Sequence, residues 1–388
     1  MIPPFHKKIG LIGGGQLGKM LIESTQSWNV QWNVLDPDPN APAKKHATTF
    51  IQGSLHDAEK IQQLANISDI LTYEIENINV EYLQKLESQG YTIIPQPSVL
   101  QTIKDKGKQK EFYRTHNIPT ASFVIIENSS QYESAKNKIQ GEQVVIKSCT
   151  GGYDGKGVTI ANKKDITVEN FPYTGSCVIE EMIEDAEEYS VIIARDRDGN
   201  TKIFPLVAMH MDPEAHLVDY LYSPARIPEY IEQELQNAAL QAIHGLNGIG
   251  VFAVECFVDK NESVYINEIA PRPHNSGHHT IEACSSSQYE MLSRILLDLP
   301  LGETHQNTYA LMINIVGPEN VTGPYQCHNI DTILTIPDVF IHLYNKSETR
   351  PYRKIGHITC LGESLEQCQQ KAHTIRTLFS IHPLTSSL

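Results

Sequence analysis

The chain has 388 residues, and its 31 basic and 46 acidic side chains give a formal net charge of −15. This length predicts two or three domains, and the acidic balance argues against a nucleic-acid partner or an anionic membrane surface. No apolar run approaches the roughly 20 residues that span a bilayer, and the seven cysteines are scattered, so we expect reduced thiols in a cytoplasmic protein.

The first part of the chain alternates short apolar runs with helical stretches. The runs predict strands at Ile9–Ile12, Val30–Leu35, Asp69–Tyr73 and Tyr91–Pro95. A glycine-rich turn over residues 13–18 follows the first strand, and a helix is predicted to open at Lys19. Strands that alternate with helices indicate a parallel sheet, so we expect a Rossmann-like α/β domain over residues 1–103.

The middle of the chain is rich in predicted strands. A helix over residues 104–116 comes first, and two more helices are predicted at about 228–247 and 280–299. The predicted strands are Ser122–Ile126, Val144–Lys147, Gly157–Ile160, Cys177–Glu181, Glu188–Ala194, Lys202–Leu206, Gly250–Val258 and Ser263–Glu268. This pattern indicates a two-lobed α+β domain over residues 104–302, with its small lobe at about 120–184.

The last part, residues 303–388, predicts a small β-rich domain. Its clearest predicted elements are strands at Tyr309–Val316, Val339–Tyr344 and Gly356–Leu361 and a helix at about 364–378.

The first glycine-rich turn permits two interpretations. Residues 13–18 have the sequence Gly-Gly-Gly-Gln-Leu-Gly, and Asp36 ends the next strand, which is the context of a dinucleotide fingerprint in a nicotinamide-dependent oxidoreductase. Asp36 nevertheless lies in Asp-Pro-Asp-Pro, a turn-forming sequence in its own right. The same turn could instead hold a smaller phosphate ester on the N-terminus of its helix.

A second glycine-rich stretch follows the predicted strand Val144–Lys147. Residues 151–157 have the sequence Gly-Gly-Tyr-Asp-Gly-Lys-Gly, so backbone N–H groups can approach an anion without interference from Cβ atoms. Lys147 ends the strand just before this loop, and its ammonium group could reach phosphates held there. The alternative is an ordinary solvated lysine at a strand end.

Polar groups follow the next predicted strands. Residues 180–183, Glu-Glu-Met-Ile, could present backbone groups to an adenine edge and a carboxylate to a ribose, and Glu188 is a second ribose candidate. The alternative for residues 184–188 is an acidic, solvated turn.

A pair of strand carboxylates indicates a metal site. Glu255 lies within the apolar strand Gly250–Val258, where an unpaired carboxylate is costly to bury. Asn267 and Glu268 end the next predicted strand. Neighbouring strands can place these three side chains around one or two Mg²⁺ ions, which prefer oxygen ligands.

Taken together, these features resemble a known family. The strand-end lysine, the glycine loop, the Glu-Glu-Met-Ile run and the paired glutamates look like those of an ATP-grasp ligase. The chain is similar to N5-carboxyaminoimidazole ribonucleotide synthetases from about residue 9 to residue 361. The motifs that carry the resemblance are residues 13–18, Asp36–Pro39, Tyr73–Asn77, 151–157, Asn267–His278 and Arg353–His357.

The resemblance implies three sets of site residues. Those expected to hold ATP are Lys106, Lys147, Gly152, Tyr153, Asp154, Gly155, Lys156, Gly157, Val158, Glu180, Glu181, Met182, Ile183, Glu188, His210, Asn267 and Glu268. Those expected to hold magnesium are Glu255, Asn267 and Glu268. Those expected to face the ribonucleotide and carboxyphosphate are Gln16, Leu17, Glu76, Tyr153, Asp154, Lys156, Arg272, His274, Asn275, Lys346, Arg353 and Lys354.

Catalytic roles are expected for Asp154, Arg272 and Lys354 among these residues. Two departures from the family pattern stand out. Lys106 and Lys156 occupy positions where arginine is often found, so bidentate phosphate contact is lost at both. The spacing before His210 is one residue short, which makes His216 a rival for the nucleotide contact.

The resemblance further implies an activity. It is the carboxylation of 5-aminoimidazole ribonucleotide with ATP, Mg²⁺ and bicarbonate, through carboxyphosphate, in purine biosynthesis by a homodimer. Alternatives are a nicotinamide-dependent oxidoreductase and a non-catalytic nucleotide-binding regulator. Within the fold, the rivals are a formate-dependent glycinamide ribonucleotide transformylase and a biotin carboxylase.

Overall fold

The N-terminal region is a parallel sheet covered by helices. The computed structural model describes residues 4–151, 157–212 and 218–384. Its first sheet has the order β3-β2-β1-β4, with strands β1 (Lys8–Ile12), β2 (Gln31–Asp36), β3 (Thr49–Gln52) and β4 (Ile70–Tyr73). The helices here are α1 (Gln16–Glu23), α2 (Ala58–Asn66) and α3 (Val80–Ser88). The predicted Rossmann-like α/β arrangement is confirmed.

Two details of this region differ from the prediction. Residues 91–95 form no strand, since only Ile93 makes a bridge, to Leu71. The short strand β3 was missed because its side chains are only partly buried at the sheet edge, which leaves no apolar run to detect.

The helix predicted over residues 104–116 belongs to a pair of helices, α4 (Pro97–Lys104) and α5 (Lys106–Thr115). The chain is extended at Asp105, whose carboxylate accepts a hydrogen bond from the backbone N–H of Lys108 at 3.1 Å. This N-cap starts a new helix and places Lys106 in its first turn.

A small antiparallel sheet follows, in the order β5-β8-β6-β7. Its elements are β5 (Phe123–Ile126), α6 (Tyr132–Lys136), β6 (Gln143–Ser148), β7 (Val158–Asn162) and β8 (Cys177–Glu181). It lies within the range predicted for the small lobe, and its antiparallel pairing places the end of β6 beside the start of β8, with Val145 opposite Glu180.

The largest sheet in the described ranges has nine strands, in the order β14-β13-β9-β11-β12-β15-β18-β17 with β10 beside β9. The strands are β9 (Glu187–Arg195), β10 (Thr201–Ile203), β11 (Val207–Met211), β12 (Val218–Ser223), β13 (Gly250–Val258), β14 (Val264–Ala270), β15 (Tyr309–Val316), β17 (Val339–Leu343) and β18 (Lys354–Gly362). A separate pair consists of β16 (Tyr325–His328) and β19 (Ser380–Pro383).

The remaining helices pack against this sheet or beside it. They are α7 (Glu229–Leu246), α8 (Thr280–Ala283), α9 (Gln288–Leu296), α10 (Ile330–Ile333) and α11 (Leu365–Leu378). The helix predicted at 280–299 is in fact two, because Ser287 caps α9 by accepting from the backbone N–H of Glu290.

The large sheet joins the middle and last parts of the chain. Strand β12 pairs with β15, and β15 pairs with β18, so the sheet runs across the boundary predicted at residue 302. The arrangement brings the loops after β14 and β17 and the start of β18 close to the N-terminal region. The division of the chain at residues 103 and 302 stays a prediction.

Candidate nucleotide and substrate site

Two glutamates face each other across neighbouring strands. Glu255 of β13 lies opposite Glu268 of β14, and the ladder is irregular just after Glu255. Burial, together with the charges of Glu268 and Glu188, raises the pKa of Glu255 to about 8. The Lys106 cation holds the pKa of Glu268 near 2 despite its burial. The strands thus bring two carboxyl groups to one place, and a bound cation would favour the ionised form of both.

Two lysines that were predicted to bind phosphate contact side chains of β14, and one of them also contacts a carboxylate of β8. The ammonium group of Lys106 donates to Glu268 Oε2 at 2.5 Å. Lys147, at the end of β6, donates to Asn267 Oδ1 at 2.8 Å and to Glu180 Oε2 at 3.1 Å. These predicted ATP and magnesium residues, from α5, β6, β8 and β14, therefore meet in one cleft.

A third lysine in the cleft was missed by sequence analysis. Lys110 is 3% exposed and forms an ion pair with Glu180 Oε2 at 3.3 Å. It lies one helical turn after Lys106 on α5, so a spacing of four residues on a predicted helix was a signal that could have found it.

The residues predicted to contact the adenine edge lie at the end of β8 and just after it. Glu181 is the last residue of that strand, and its backbone N–H donates to the carbonyl of Ser122 at 2.9 Å. Met182 and Ile183 come next and are partly buried. Glu188 lies on β9 opposite Phe257, and burial raises its pKa to about 7.

Several predicted nucleotide residues need separate mention. Gly157 accepts from the backbone N–H of Ser148 at 2.9 Å, and Val158 begins β7. His210 is exposed on β11 and stacks on Tyr220, with ring centroids 4.4 Å apart. The predicted residues that lie outside the described ranges are Gly152, Tyr153, Asp154, Gly155, Lys156 and His216.

The loop after β14 contacts both halves of the site. Arg272 Nε lies 2.9 Å from Glu76 Oε1, so two predicted substrate residues from distant parts of the chain form an ion pair. His274 Nε2 lies 3.4 Å from Glu255 Oε1. One loop thereby connects the substrate side to the magnesium side.

Asn275, which was predicted to face the substrate, is buried against strand β15. It is 7% exposed, and its side-chain amide exchanges two hydrogen bonds with Asn314, at 2.8 and 2.9 Å. This contact ties the loop after β14 to strand β15.

A cavity of about 170 Å³ lies between the N-terminal region and the last part of the chain. The predicted substrate residues Gln16, Lys346 and Arg353 line it. The remaining lining residues are Gly15, Asp36, Asp38, Asn40, Ala41, Pro42 and Ser347. Leu17 packs in the hydrophobic core, so its side chain does not line the cavity. Lys354 follows Arg353 directly and begins β18.

The first glycine turn binds a carboxylate of the chain itself. Glu74 accepts from the backbone N–H of Gly15 and, at 2.6 Å, from that of Gly18, at the N-terminus of α1. Asp36 accepts from the backbone N–H of Gly14 at 2.7 Å. The positions where a pyrophosphate would bind in the dinucleotide interpretation are therefore occupied, and that interpretation is not supported. The alternative of a smaller phosphate ester near this turn stays a prediction.

The donor set fits magnesium. Within the described ranges no group of three or more His, Cys, Asp or Glu side chains is arranged to hold a metal. The predicted set instead has two carboxylates, Glu255 and Glu268, and the amide oxygen of Asn267. Mg²⁺ typically takes one or two protein carboxylates and completes its shell with phosphate and water oxygens. A divalent cation would also favour the ionised form of Glu255.

Family models match the chain in three consecutive segments. The ribonucleotide synthetase preATP-grasp domain matches residues 6–104, the ATP-grasp domain residues 111–289, and the phosphoribosylaminoimidazole carboxylase C-terminal domain residues 310–371. The N5-carboxyaminoimidazole ribonucleotide synthase of Staphylococcus aureus is 35% identical over 94% of this chain and 96% of its own. The chain belongs to the N5-carboxyaminoimidazole ribonucleotide synthase family. It is an ATP-grasp ligase, and the predicted cofactors ATP and Mg²⁺ are those of this family.

Solved structures agree with this assignment. The N5-carboxyaminoimidazole ribonucleotide synthetase of Thermotoga maritima has a TM-score of 0.89 and 36% identity, covering 97% of this chain and 99% of that chain. The Aspergillus clavatus enzyme in complex with ADP and 5-aminoimidazole ribonucleotide has a TM-score of 0.85 and 31% identity, covering 96% and 98%.

The fungal relatives are longer. The chain spans 66% of the phosphoribosylaminoimidazole carboxylase of Candida glabrata, with 34% identity over 96% of this chain. No helix in the described ranges is long and apolar enough to cross a membrane.

Proposed function

We propose that this protein carboxylates the exocyclic amine of 5-aminoimidazole ribonucleotide, with ATP and bicarbonate, in purine biosynthesis. The observation that carries the proposal is the loop after β14. Its Arg272 contacts Glu76 on the substrate side, and its His274 contacts Glu255 on the magnesium side. A group activated at the nucleotide could therefore meet an amine held a short distance away.

The cavity between the N-terminal and last parts supports a phosphorylated substrate. Lys346 and Arg353 supply cationic groups at its wall, and a guanidinium group can bind phosphate with two hydrogen bonds. The Aspergillus clavatus relative was solved with ADP and 5-aminoimidazole ribonucleotide together, so both ligands fit one member of the family at once.

The first chemical step requires positioning and neutralisation of charge. Lys106 and Lys147 would turn from their carboxylate and amide partners to the phosphates of ATP. Glu255, Asn267 and Glu268 would hold Mg²⁺, which neutralises charge on the phosphate oxygens. Attack by a bicarbonate oxygen on the γ-phosphorus then yields carboxyphosphate and ADP.

In the second step the substrate amine attacks the carboxyl carbon and phosphate leaves. Arg272 and Lys354 would stabilise negative charge on the departing oxygens. Asp154 would accept the proton that the amine loses, a role assigned from the sequence. Because carboxyphosphate decomposes readily in water, the glycine loop over residues 151–157 is proposed to cover the site.

The test is release of ADP with 5-aminoimidazole ribonucleotide, in the presence and absence of bicarbonate. We expect release to require both, with one carboxylated product for each ADP. ADP release that is independent of the ribonucleotide, or dependent on formate, would contradict the proposal.

We also propose that the enzyme is a cytoplasmic homodimer. Two large side chains near the edge strand β17, Leu334 at 57% and Phe340 at 39% exposure, support an interface there. Sedimentation equilibrium should give twice the chain mass, and a concentration-independent monomer would contradict the proposed dimer.

A further inference from the structure

Lys110 is buried in the nucleotide cleft. Its ammonium group donates to Thr120 Oγ1 at 2.6 Å and lies 3.3 Å from Glu180 Oε2. The rings of Tyr113 and Phe123 lie 5.7 and 5.9 Å from the same nitrogen. Burial lowers the pKa of Lys110 to about 8. A lysine in such a place is costly unless it compensates another charge.

The charge that Lys110 compensates is that of Glu180. This carboxylate is 3% exposed, and its Oε2 is shared between Lys110 and Lys147. Its Oε1 has no hydrogen-bond partner in the described part of the chain. Burial by itself would raise the pKa of Glu180, but the two lysine cations hold this pKa below its ordinary value. Glu180 therefore stays ionised only while a cation remains beside it.

Nucleotide binding would take one of those cations away. Lys147 also donates to Asn267 Oδ1, the amide oxygen assigned to magnesium. If Lys147 turns to the phosphates and Asn267 turns to Mg²⁺, the contact between them is lost, and so is the contact of Lys147 with Glu180. Lys110 would then be the remaining lysine on a buried carboxylate.

We infer that Lys110 is a positioning residue that keeps Glu180 paired and in place, and so allows Lys147 to leave Glu180 for the nucleotide phosphates. Lys110 itself contacts no ligand in this arrangement. The inference rests on the proposed function only for the assignment of Lys147 to phosphate. Without Lys110, Lys147 is the only described cation on Glu180, and removing it for the nucleotide leaves a buried charge unpaired.

The experiment measures affinity for Mg-ATP in four variants and in Glu180→Gln as a reference. Lys110→Met removes the charge, Lys110→Arg keeps it, and Lys108→Met, on an exposed position of the same helix, is the matched control. The fourth variant combines Lys110→Met with Glu180→Gln and is compared with Glu180→Gln alone. Calorimetric Kd and steady-state kinetics give KM and kcat separately.

We expect Lys110→Met to raise the Kd and KM for Mg-ATP by about 10-fold or more, while kcat at saturation changes by less than about 3-fold. Lys110→Arg should recover most of the affinity, and Lys108→Met should match the wild type. With Glu180→Gln as the background, Lys110→Met should change Kd by less than about 2-fold, because no buried charge is left to pair.

An equal loss of affinity in both backgrounds would overturn the inference, since it would show that Lys110 acts independently of Glu180. So would an unchanged Kd in folded Lys110→Met. If Lys110→Met does not fold, Lys110→Gln, which can still donate to Thr120, gives the same two outcomes. Wild-type protein that binds Mg-ATP but yields no carboxylated product would contradict the proposed function and leave this inference intact, because the measurement is nucleotide affinity.

Discussion

In two regions of the molecule, carboxylates of the chain accept hydrogen bonds at sites where an anionic ligand could bind. In one region the donors are backbone N–H groups, and in the other they are lysine side chains. At the first glycine turn, Glu74 binds the backbone N–H groups of Gly15 and Gly18. In the central cleft, Glu268 and Glu180 bind the side chains of Lys106 and Lys147. Backbone N–H groups at a helix N-terminus cannot turn away, whereas a lysine side chain has four rotatable bonds. We therefore expect the first contact, which satisfies fixed N–H groups at a helix N-terminus, to be permanent in the folded protein, and the second to be exchanged for a ligand.

This difference explains why the first glycine turn, despite its dinucleotide fingerprint, is not the nucleotide site. An added Cβ at Gly13 would lie 2.7 Å from Glu74 Cγ, and one at Gly15 would lie 2.6 Å from Glu74 Oε1. The glycines at these positions admit a glutamate side chain rather than a pyrophosphate. A permanent contact should appear in stability measurements, and an exchangeable one in catalysis.

The largest effect is expected for Glu268→Gln, which changes the exchangeable contact. Turnover should fall by about 100-fold or more, because Mg²⁺ loses a charged ligand, while the melting temperature should change little. Steady-state kinetics and thermal unfolding check both parts, with the exposed Glu234→Gln as control. If the variant keeps more than about a tenth of the wild-type activity, Glu268 is not a ligand, because a tenfold loss corresponds to only ~1.4 kcal/mol in activation free energy.

Arg272→Ala should have the next largest effect. We expect the KM for 5-aminoimidazole ribonucleotide to rise by about 30-fold and that for ATP by less than about 3-fold, since a charge-assisted contact to the substrate side is lost. The kinetics are measured with each substrate varied in turn. A rise confined to ATP would move Arg272 to the nucleotide side of the site.

Glu74→Gln changes the permanent contact and should act on stability. The free energy of unfolding should fall by about 1–3 kcal/mol, because the two N–H groups bind different carboxylate oxygens and the amide replaces one of these acceptors with an NH₂ donor. Urea unfolding measures this, with the exposed Glu87→Gln as control. Saturable binding of NADH to the variant would show that Glu74 alone had blocked a dinucleotide site, and an unchanged stability would remove its structural role.

The smallest expected effect is a change of stability with pH. It comes from a second permanent contact, in which the rings of His278 and His357, from two of the motifs that carry the family resemblance, lie side by side. The two buried rings lie 4.6 Å apart, and Tyr344 Oη is 2.9 Å from His357 Nδ1. Burial lowers the pKa of both rings well below the ordinary value. The positively charged or titratable groups that lower it further are Lys19, His274, His279, His342 and Lys354.

The sign follows from proton linkage. The unfolded chain takes up protons near pH 6.5 and the folded chain only at lower pH, so stability is full above about 6.5 and falls below it. Between pH 6.5 and 5.5 we expect a loss of about 1 kcal/mol for each ring. Unfolding of His357→Asn at both pH values should show a smaller difference than the wild type. An identical pH dependence would contradict the assignment.

Much of the fold followed from local pattern. Alternation of apolar runs with helical stretches predicted the parallel sheet, and the many predicted strands of the middle region predicted its α+β character. The errors occurred where local pattern is weak. Strands β11 and β12 were missed because their formation depends on pairing with β9 and β15, which local pattern does not show.

The sequence by itself determined the family, the ATP-grasp architecture, and the lysine, carboxylate and amide residues of the cleft, because their types and spacing along the chain are specific. Only the tertiary structure decided which donors these groups meet. It brought the Glu74 carboxylate into contact with the first glycine turn, where Gly18 lies 56 residues earlier in the chain. It also placed Glu180 Oε2 in contact with both Lys147, 33 residues earlier in the chain, and Lys110. Hydrogen bonds and ion pairs act over a few ångströms in space, and folding alone sets which residues come that close.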